Sequence, residues 1–242
     1  MAFKPVKQNR IAVAIVDQLK AAILSGRFKP GERMPTEREL TEQFQVSRVV
    51  VREAIRELEI KGFVKILQGS SGGAYVTDLS FDQLNNAFLD LFHSNKLSVA
   101  ELIQTRILVE CEIARLASAQ AQPESAPPLQ EALNAEGSGG LPHSGLIATR
   151  LMVHHLLAEM SGNRVLQAIA TSLFRLTGEV ILEVKPVQEV IHRQEEHAEI
   201  VRAVLGRDPK AAAAAMKRHL ERMGQKLVKL EGVYRKRKGL AL

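Results

Sequence analysis

The sequence is poor in cysteine and aromatic residues and contains no tryptophan. Only 4% of its 242 residues are aromatic, which argues against a stacking platform for single-stranded nucleic acid. Cys111 is the single cysteine, which excludes an internal disulfide and a thiolate metal cluster and favours a reducing, cytoplasmic compartment. Uninterrupted apolar runs are shorter than a bilayer span, and residues 1–10 lack a signal-peptide core. We therefore expect neither a secreted nor a membrane protein.

Positive charge is concentrated in the first third of the chain. Residues 1–77 carry 13 Lys/Arg against 8 Asp/Glu, a net charge of +5, whereas the whole chain has a net charge of +6. This asymmetry predicts two modules, of which the first meets a polyanion. We predict a basic domain over residues 1–77 and a linker with a connecting helix over residues 78–97. A helical domain over residues 98–232 and a basic tail over residues 233–242 follow.

The first 77 residues have the element order of a winged helix-turn-helix. Thr36 and Glu39 form a capping box that opens the second helix, and Ser47 caps the third. A Gly-rich loop then lies between two strand-like segments. The predicted helices cover residues 9–25, 35–44 and 47–61, and the predicted strands cover residues 63–67 and 74–77. Three helices followed by a hairpin make double-stranded DNA the expected partner.

The third helix carries a row of arginines. Arg48, Arg52 and Arg56 stand four residues apart and therefore share one face. Beginning just after an N-cap, the row places cations and free N–H groups where a phosphate or a guanine edge can sit. Because glutamates are interspersed, an isolated helix of this composition is more often a solvated face with internal ion pairs. The hairpin that follows favours the DNA interpretation.

Four segments in order resemble the GntR family of bacterial transcription regulators. They are the GERMPTEREL, VSR, VREAIREL and GFV segments, which begin at Gly31, Val46, Val51 and Gly62. The resemblance implies operator contacts from Arg38, from the recognition-helix residues and from the wing tip. The predicted DNA-binding residues are Arg38, Ser47, Arg48, Val49, Arg52 and Gly69. It also implies a homodimer on a palindromic operator.

Beyond the wing the chain predicts an all-helical bundle. Amphipathic stretches occupy residues 81–94, 98–120, 146–160, 163–183, 187–205 and 209–231. Between residues 122 and 145 the chain is rich in Pro and Gly, which predicts a short helix over 129–135 inside an otherwise mobile segment. The fold class is thus mostly α, with an N-terminal winged helix-turn-helix and a C-terminal helical bundle.

Three histidines lie on apolar faces of separate predicted helices: His154, His197 and His219. Three converging imidazoles would bind Zn, Ni, Fe or Mn, but each histidine taken alone is more often a hydrogen-bonded core residue. A metal with an open position could also activate water, so a metal-dependent hydrolase is an alternative, although HExxH, Ser-His-Asp and P-loop motifs are missing. A general architectural DNA-binding protein without an effector is another.

Residues 98–232 resemble the FCD effector domain of FadR-like regulators. The resemblance rests on Arg106 with Glu110, on the Ser161-Gly162-Asn163 segment and on the order of the three histidines. It implies a small carboxylate effector bound by Arg106, and a divalent metal held by one aspartate and three histidines. The expected aspartate is Arg150 here, and a guanidinium cannot bind a cation. Either the histidines alone hold a Zn, Ni or Mn ion, or Arg150 and Arg106 bind the anion without metal.

Overall fold

The computed structural model describes residues 9–69, 72–78, 82–137, 142–184 and 194–239. These residues fall into two compact units that divide between Gln83 and Leu84. The first unit is a winged helix-turn-helix and the second is an all-helical bundle, so the predicted fold class is confirmed.

The N-terminal unit packs three helices against a two-stranded wing. Its elements are α1 (Asn9–Leu24), α2 (Glu37–Phe44), α3 (Arg48–Ile60), β1 (Val64–Leu67) and β2 (Gly73–Val76). The strands are antiparallel, with Val64 opposite Val76. Leu40, Val51 and Leu58 are almost completely buried because the apolar residues of α2 and α3 recur at helical spacing and pack into one core with those of α1. This core fixes how the exposed face of α3 is presented.

The helix ends follow the sequence signals, with one exception. The Thr36–Glu39 capping box forms at the start of α2, and Ser98 and Glu101 form a second one at the start of the helix Val99–Gln120. Ser47 is the N-cap residue of α3, but its side chain makes no capping hydrogen bond. The predicted position of the cap at Ser47 is therefore confirmed.

The C-terminal unit is built from seven α-helices in the described part of the chain. They are α4 (Asp82–His93), α5 (Val99–Gln120), α6 (Ala126–Glu136), α7 (His143–Met160), α8 (Arg164–Val184), α9 (Gln194–Leu205) and α10 (Pro209–Lys238). A 3-10 turn, Pro123–Ser125, precedes α6. Helix α10 packs along α5 and α9, and α7 packs against α5, α6 and α8. The core between these helices positions the site described below.

Several boundaries differ from the sequence prediction. Helix α6 begins three residues earlier than predicted, and α10 runs on through the basic residues 235–238. The predicted start of α9 at Val187 lies outside the described residues, as does the predicted start of α4 at Phe81. So do Ser70 and Ser71 of the wing loop.

Helix α8 is long and apolar enough to cross a membrane by length and composition, and half of its most apolar window is buried within the protein. The buried residues include Phe174, Leu176 and Val180, which belong to the hydrophobic core of the bundle. A core helix has this composition because most of its circumference faces other helices.

Candidate functional site

The predicted DNA-reading residues at the start of α3 point to solvent. Arg48 and Val49 are exposed, with 66% of Val49 accessible, and Arg38 is exposed on α2. An uncovered cation beside an uncovered apolar group is the combination that can meet a phosphate and a thymine methyl group.

Arg52, one turn further along α3, is held by an ion pair. Its Nε and Nη2 donate to the two carboxylate oxygens of Glu37 on α2 at 3.2 and 3.1 Å. These bonds raise the pKa of Arg52 further above its ordinary value. The side chains are 55% and 35% exposed, and exposed pairs of this kind contribute about 0–1 kcal/mol. A phosphate can therefore compete with Glu37 for Arg52.

Gly69 lies at the tip of the wing with a φ of 103°, a conformation that favours glycine. Its carbonyl accepts a hydrogen bond from the Gly72 N–H at 2.9 Å, which closes the turn. Arg33 donates from Nη2 to the Gly72 carbonyl at 2.5 Å and so ties the wing to the segment before α2. At Gly69 the wing thus presents its backbone without a side chain.

The three candidate metal ligands converge inside the helical unit. His154 on α7, His197 on α9 and His219 on α10 are each no more than 1% exposed. The Nε2 atom of His197 is 3.2 Å from the Nε2 atoms of both His154 and His219. Ligand atoms on one cation, at metal–nitrogen distances near 2.1 Å, are separated by about 3.0 Å at right angles and about 3.4 Å in a tetrahedron. The measured separations lie within that range.

Each histidine is oriented by a carboxylate from another helix. The Nδ1 atom of His154 lies 2.5 Å from Glu110, that of His197 lies 2.6 Å from Glu136, and that of His219 lies 2.9 Å from Glu196. A carboxylate at Nδ1 favours the tautomer with its proton there, which leaves the Nε2 lone pair free to bind a cation. The donor set therefore fits a divalent transition metal.

The electrostatics favour the neutral forms of His154 and His219. Burial, followed by the nearby His197 and Arg106, holds the pKa of His154 well below its ordinary value. Burial also lowers the pKa of His219 to about 4, although the hydrogen bond with Glu196 opposes it. Burial alone would raise the pKa of Glu196, but hydrogen bonds from His219 and Arg222 lower it to about 2. Neutral imidazole is the form that binds metals.

Arg106, the predicted effector anchor on α5, is completely buried beside the histidines. Its Nε donates to Glu110 at 2.5 Å and its Nη1 donates to Thr177 at 3.2 Å. Its guanidinium lies 5.4 Å from the centre of the Phe174 ring. Its Nη2 is buried and has no hydrogen-bond partner within the part of the chain that the structure describes. A buried donor left unpaired is costly, and a carboxylate would satisfy it.

Arg150, the residue in place of the expected aspartate, lies one turn before His154 on α7 and is half-buried. Its predicted contact with the anion stays a prediction. Cys111 neighbours Glu110 in sequence, but burial, and then the Glu110 charge, raises the pKa of its thiol to about 11. That thiol is protonated at neutral pH and makes a poor ligand or nucleophile.

Two residues of this site were missed by the sequence analysis. Glu136 lies in the Pro/Gly-rich segment, where no motif distinguishes it from a surface glutamate. Glu196 directly precedes His197 in the sequence, yet it pairs with His219 on the neighbouring helix. Both contacts arise because α6, α9 and α10 pack together, which sequence spacing does not reveal.

Comparison with known proteins matches one segment in each of the two compact units to a known domain family. Residues 11–76 match the family described as "Bacterial regulatory proteins, gntR family", and residues 101–222 match the FCD domain. The Uxu operon transcriptional regulator of Escherichia coli K12 is 33% identical, with 89% of this chain and 86% of the relative covered. The repressor NanR of Klebsiella aerogenes is 29% identical, with 90% and 85% covered.

Among solved structures, Streptococcus agalactiae GntR matches with a TM-score of 0.67 and 24% identity, covering 89% of this chain and 99% of that one. At this identity the match supports the fold alone. The sequence matches carry more weight, because they include a relative that is 33% identical over 89% of this chain. The chain belongs to the GntR family of bacterial transcriptional regulators and carries an FCD domain.

Proposed function

We propose that this regulator binds operator DNA as a homodimer in the cytoplasm and that a small organic acid, bound in the helical unit, changes its affinity for DNA. The observation that carries the proposal is the Nη2 of Arg106, which has no hydrogen-bond partner among the described residues. A completely buried guanidinium with one nitrogen free is suited to a carboxylate, because such charge-assisted bonds are short and strong. The proximity of three imidazoles makes the same site suitable for a cation.

A divalent cation, Zn, Ni or Mn, is the proposed cofactor. His154, His197 and His219 would hold it, and when bound it would supply positive charge next to the effector carboxylate. Glu110, Glu136 and Glu196 provide negative charge around the imidazoles. These carboxylates support the proposal because they compensate for the aspartate that Arg150 replaces. Arg150 itself is proposed as a second contact for the anion.

The proposed DNA contacts are Arg38, Ser47, Arg48, Val49, Arg52 and Gly69. All six are exposed, and α3 is the helix expected in the major groove of a helix-turn-helix complex. The name of NanR describes a repressor, which supports repression as the mode of action here. A homodimer would read two half-sites related by a two-fold axis.

The first test measures DNA binding alone. Operator sequences are selected from a random duplex library, and their affinity is compared with that of random DNA at one salt concentration. We expect specific binding at least about 1000-fold tighter and a palindromic site. Equal affinity for both would instead support an architectural DNA-binding protein without sequence preference.

The second test identifies the ligand class. A panel of small organic acids and their primary amides is screened by thermal shift, with and without Zn²⁺. We expect stabilisation by at least one acid and none by its amide, since an amide lacks the charge that Arg106 requires. The same acid should alter operator affinity. Equal stabilisation by acid and amide would remove Arg106 from the proposed role.

A further inference from the structure

Glu110 is the point where the two halves of the ligand site meet. One of its carboxylate oxygens accepts from Arg106 Nε at 2.5 Å, and the other lies 2.5 Å from His154 Nδ1. Its side chain is 1% exposed. One buried carboxylate therefore contacts both the proposed anion anchor and a proposed metal ligand.

Among the contacts of the described residues, the other two carboxylates of the site pair with a histidine but not with Arg106. Glu136 is hydrogen-bonded to His197, and its side chain is 2% exposed. Glu196 pairs with His219 and with Arg222, and it is 20% exposed. Glu136 therefore resembles Glu110 in burial and in its histidine contact, and it serves as the matched comparison.

The shared carboxylate gives a physical route between the two ligands. If His154 held a cation through Nε2, its Nδ1–H would become a stronger donor and would draw electron density toward the Glu110 oxygen that faces it. The other oxygen would then neutralise Arg106 less, and the positive charge on the guanidinium would become more available to an anion. Because the group is buried, the field of this change is weakly screened.

We infer that Glu110 is a positioning residue that couples the cation to the carboxylate effector, so that each ligand raises the affinity for the other through the His154–Glu110–Arg106 chain. The inference rests on the ligand site of the proposed function. By linkage, the same factor applies in both directions, so the coupling can be measured from the side of the metal alone. Direct attraction between the two ligands adds to the coupling but does not pass through Glu110.

The test measures the Zn²⁺ affinity of the full chain by competition with a chromophoric chelator. It compares sodium acetate with sodium nitrate at the same ionic strength, acetate being the simplest carboxylate probe. The quantity of interest is the ratio of the two affinities, because the weak binding of acetate to free Zn²⁺ is common to all variants. In the native protein we expect acetate to raise Zn²⁺ affinity on the order of fivefold or more.

Two amide variants separate coupling from histidine orientation. Glu110→Gln and Glu136→Gln should each weaken Zn²⁺ binding by about 10- to 100-fold, because each removes a carboxylate from a histidine Nδ1. Only Glu110→Gln should reduce the acetate ratio, to less than about half of the native value, because an amide offers one oxygen to two donors. A ratio unchanged in Glu110→Gln, or reduced equally in Glu136→Gln, overturns the inference.

A third variant keeps the test decisive if Glu110→Gln does not fold. Glu110→Asp preserves the charge but is one methylene shorter and cannot span Arg106 and His154 together, so its acetate ratio should also fall. A native ratio in this variant would overturn the inference. If the native protein binds no Zn²⁺, or shows no acetate effect, it is the proposed ligand site that fails.

Discussion

Removing a histidine from the centre of the cluster is the perturbation for which the geometry gives the clearest expectation. His197 lies between the other two ligands, with its Nε2 at 3.2 Å from each of theirs. His197→Ala leaves two candidate ligands, too few for a structural or catalytic zinc site. Stabilisation of the native protein by metal should therefore disappear in this variant.

The size of the effect follows from linkage. A ligand present at 100 times its Kd stabilises the folded state by about 2.7 kcal/mol. For a unit of this size about 1 kcal/mol shifts Tm by about 2–4 °C. The native protein should therefore melt about 5–11 °C higher with Zn²⁺ than with a chelator. The assay is thermal unfolding followed by circular dichroism in the two conditions.

His155→Ala is the control. His155 follows His154 on the same helix and is half-buried, and its ring packs edge-on against Phe174 with 4.9 Å between the ring centroids. It lies outside the three-histidine cluster. The Tm of His155→Ala without metal can fall, and the Tm of His197→Ala will fall because Glu136 loses its hydrogen bond. The quantity compared between variants is therefore the difference in Tm between Zn²⁺ and chelator. A full shift in His197→Ala, or none in the native protein, would refute the assignment of the ligands.

Three further outcomes are expected. Arg48→Ala should weaken operator binding by about 1–3 kcal/mol in fluorescence anisotropy, because an exposed base- or phosphate-reading cation is removed. Glu37→Gln should lower the free energy of unfolding by no more than about 1 kcal/mol and strengthen operator binding, because it frees the Arg52 guanidinium and removes a negative charge. Arg235→Met should lower the free energy of unfolding in urea by about 3–5 kcal/mol, because it leaves the buried Glu231 carboxylate without its ion-pair partner.

Each of these has an internal comparison. Arg115→Ala removes an exposed, ion-paired arginine of the helical unit, and equal losses in Arg115→Ala and Arg48→Ala would indicate a non-specific charge effect. Weaker DNA binding in Glu37→Gln would mean that Glu37 positions Arg52 for DNA. For the buried pair, the Arg235→Met/Glu231→Gln double variant should recover part of the loss, and complete additivity would contradict direct coupling.

Much of the N-terminal unit could be predicted because its signals are local. A capping box needs two residues three apart, and the Thr36–Glu39 box forms as predicted. The recognition helix α3 is amphipathic over its whole length, so its buried and exposed faces follow from the helical spacing of its apolar residues alone. What local signals did not reveal is the ion pair between Arg52 and Glu37, which requires the packing of α2 against α3.

The C-terminal end of α10 shows a different limit. The basic run 235–238 has the composition of a solvated tail, yet the helix includes it. Arg235 is 3% exposed, donates to Glu231 and to the Leu97 carbonyl, and lies over the Phe92 ring at 5.2 Å. Partners more than 130 residues away in the sequence therefore bury one arginine of the run. The four cations of the run also lie at the C-terminal end of α10, where the helix dipole is negative.

The sequence by itself determined the family and the two-module order, because the motifs that carry them span only a few residues each. It also named the three histidines as candidate ligands, through the order in which they follow one another. Only the tertiary structure decided that three histidines from α7, α9 and α10 share one centre and that Glu110, Glu136 and Glu196 orient them. Hydrogen bonds depend on separations of a few ångströms, and for residues on different helices those separations are set by packing in the core.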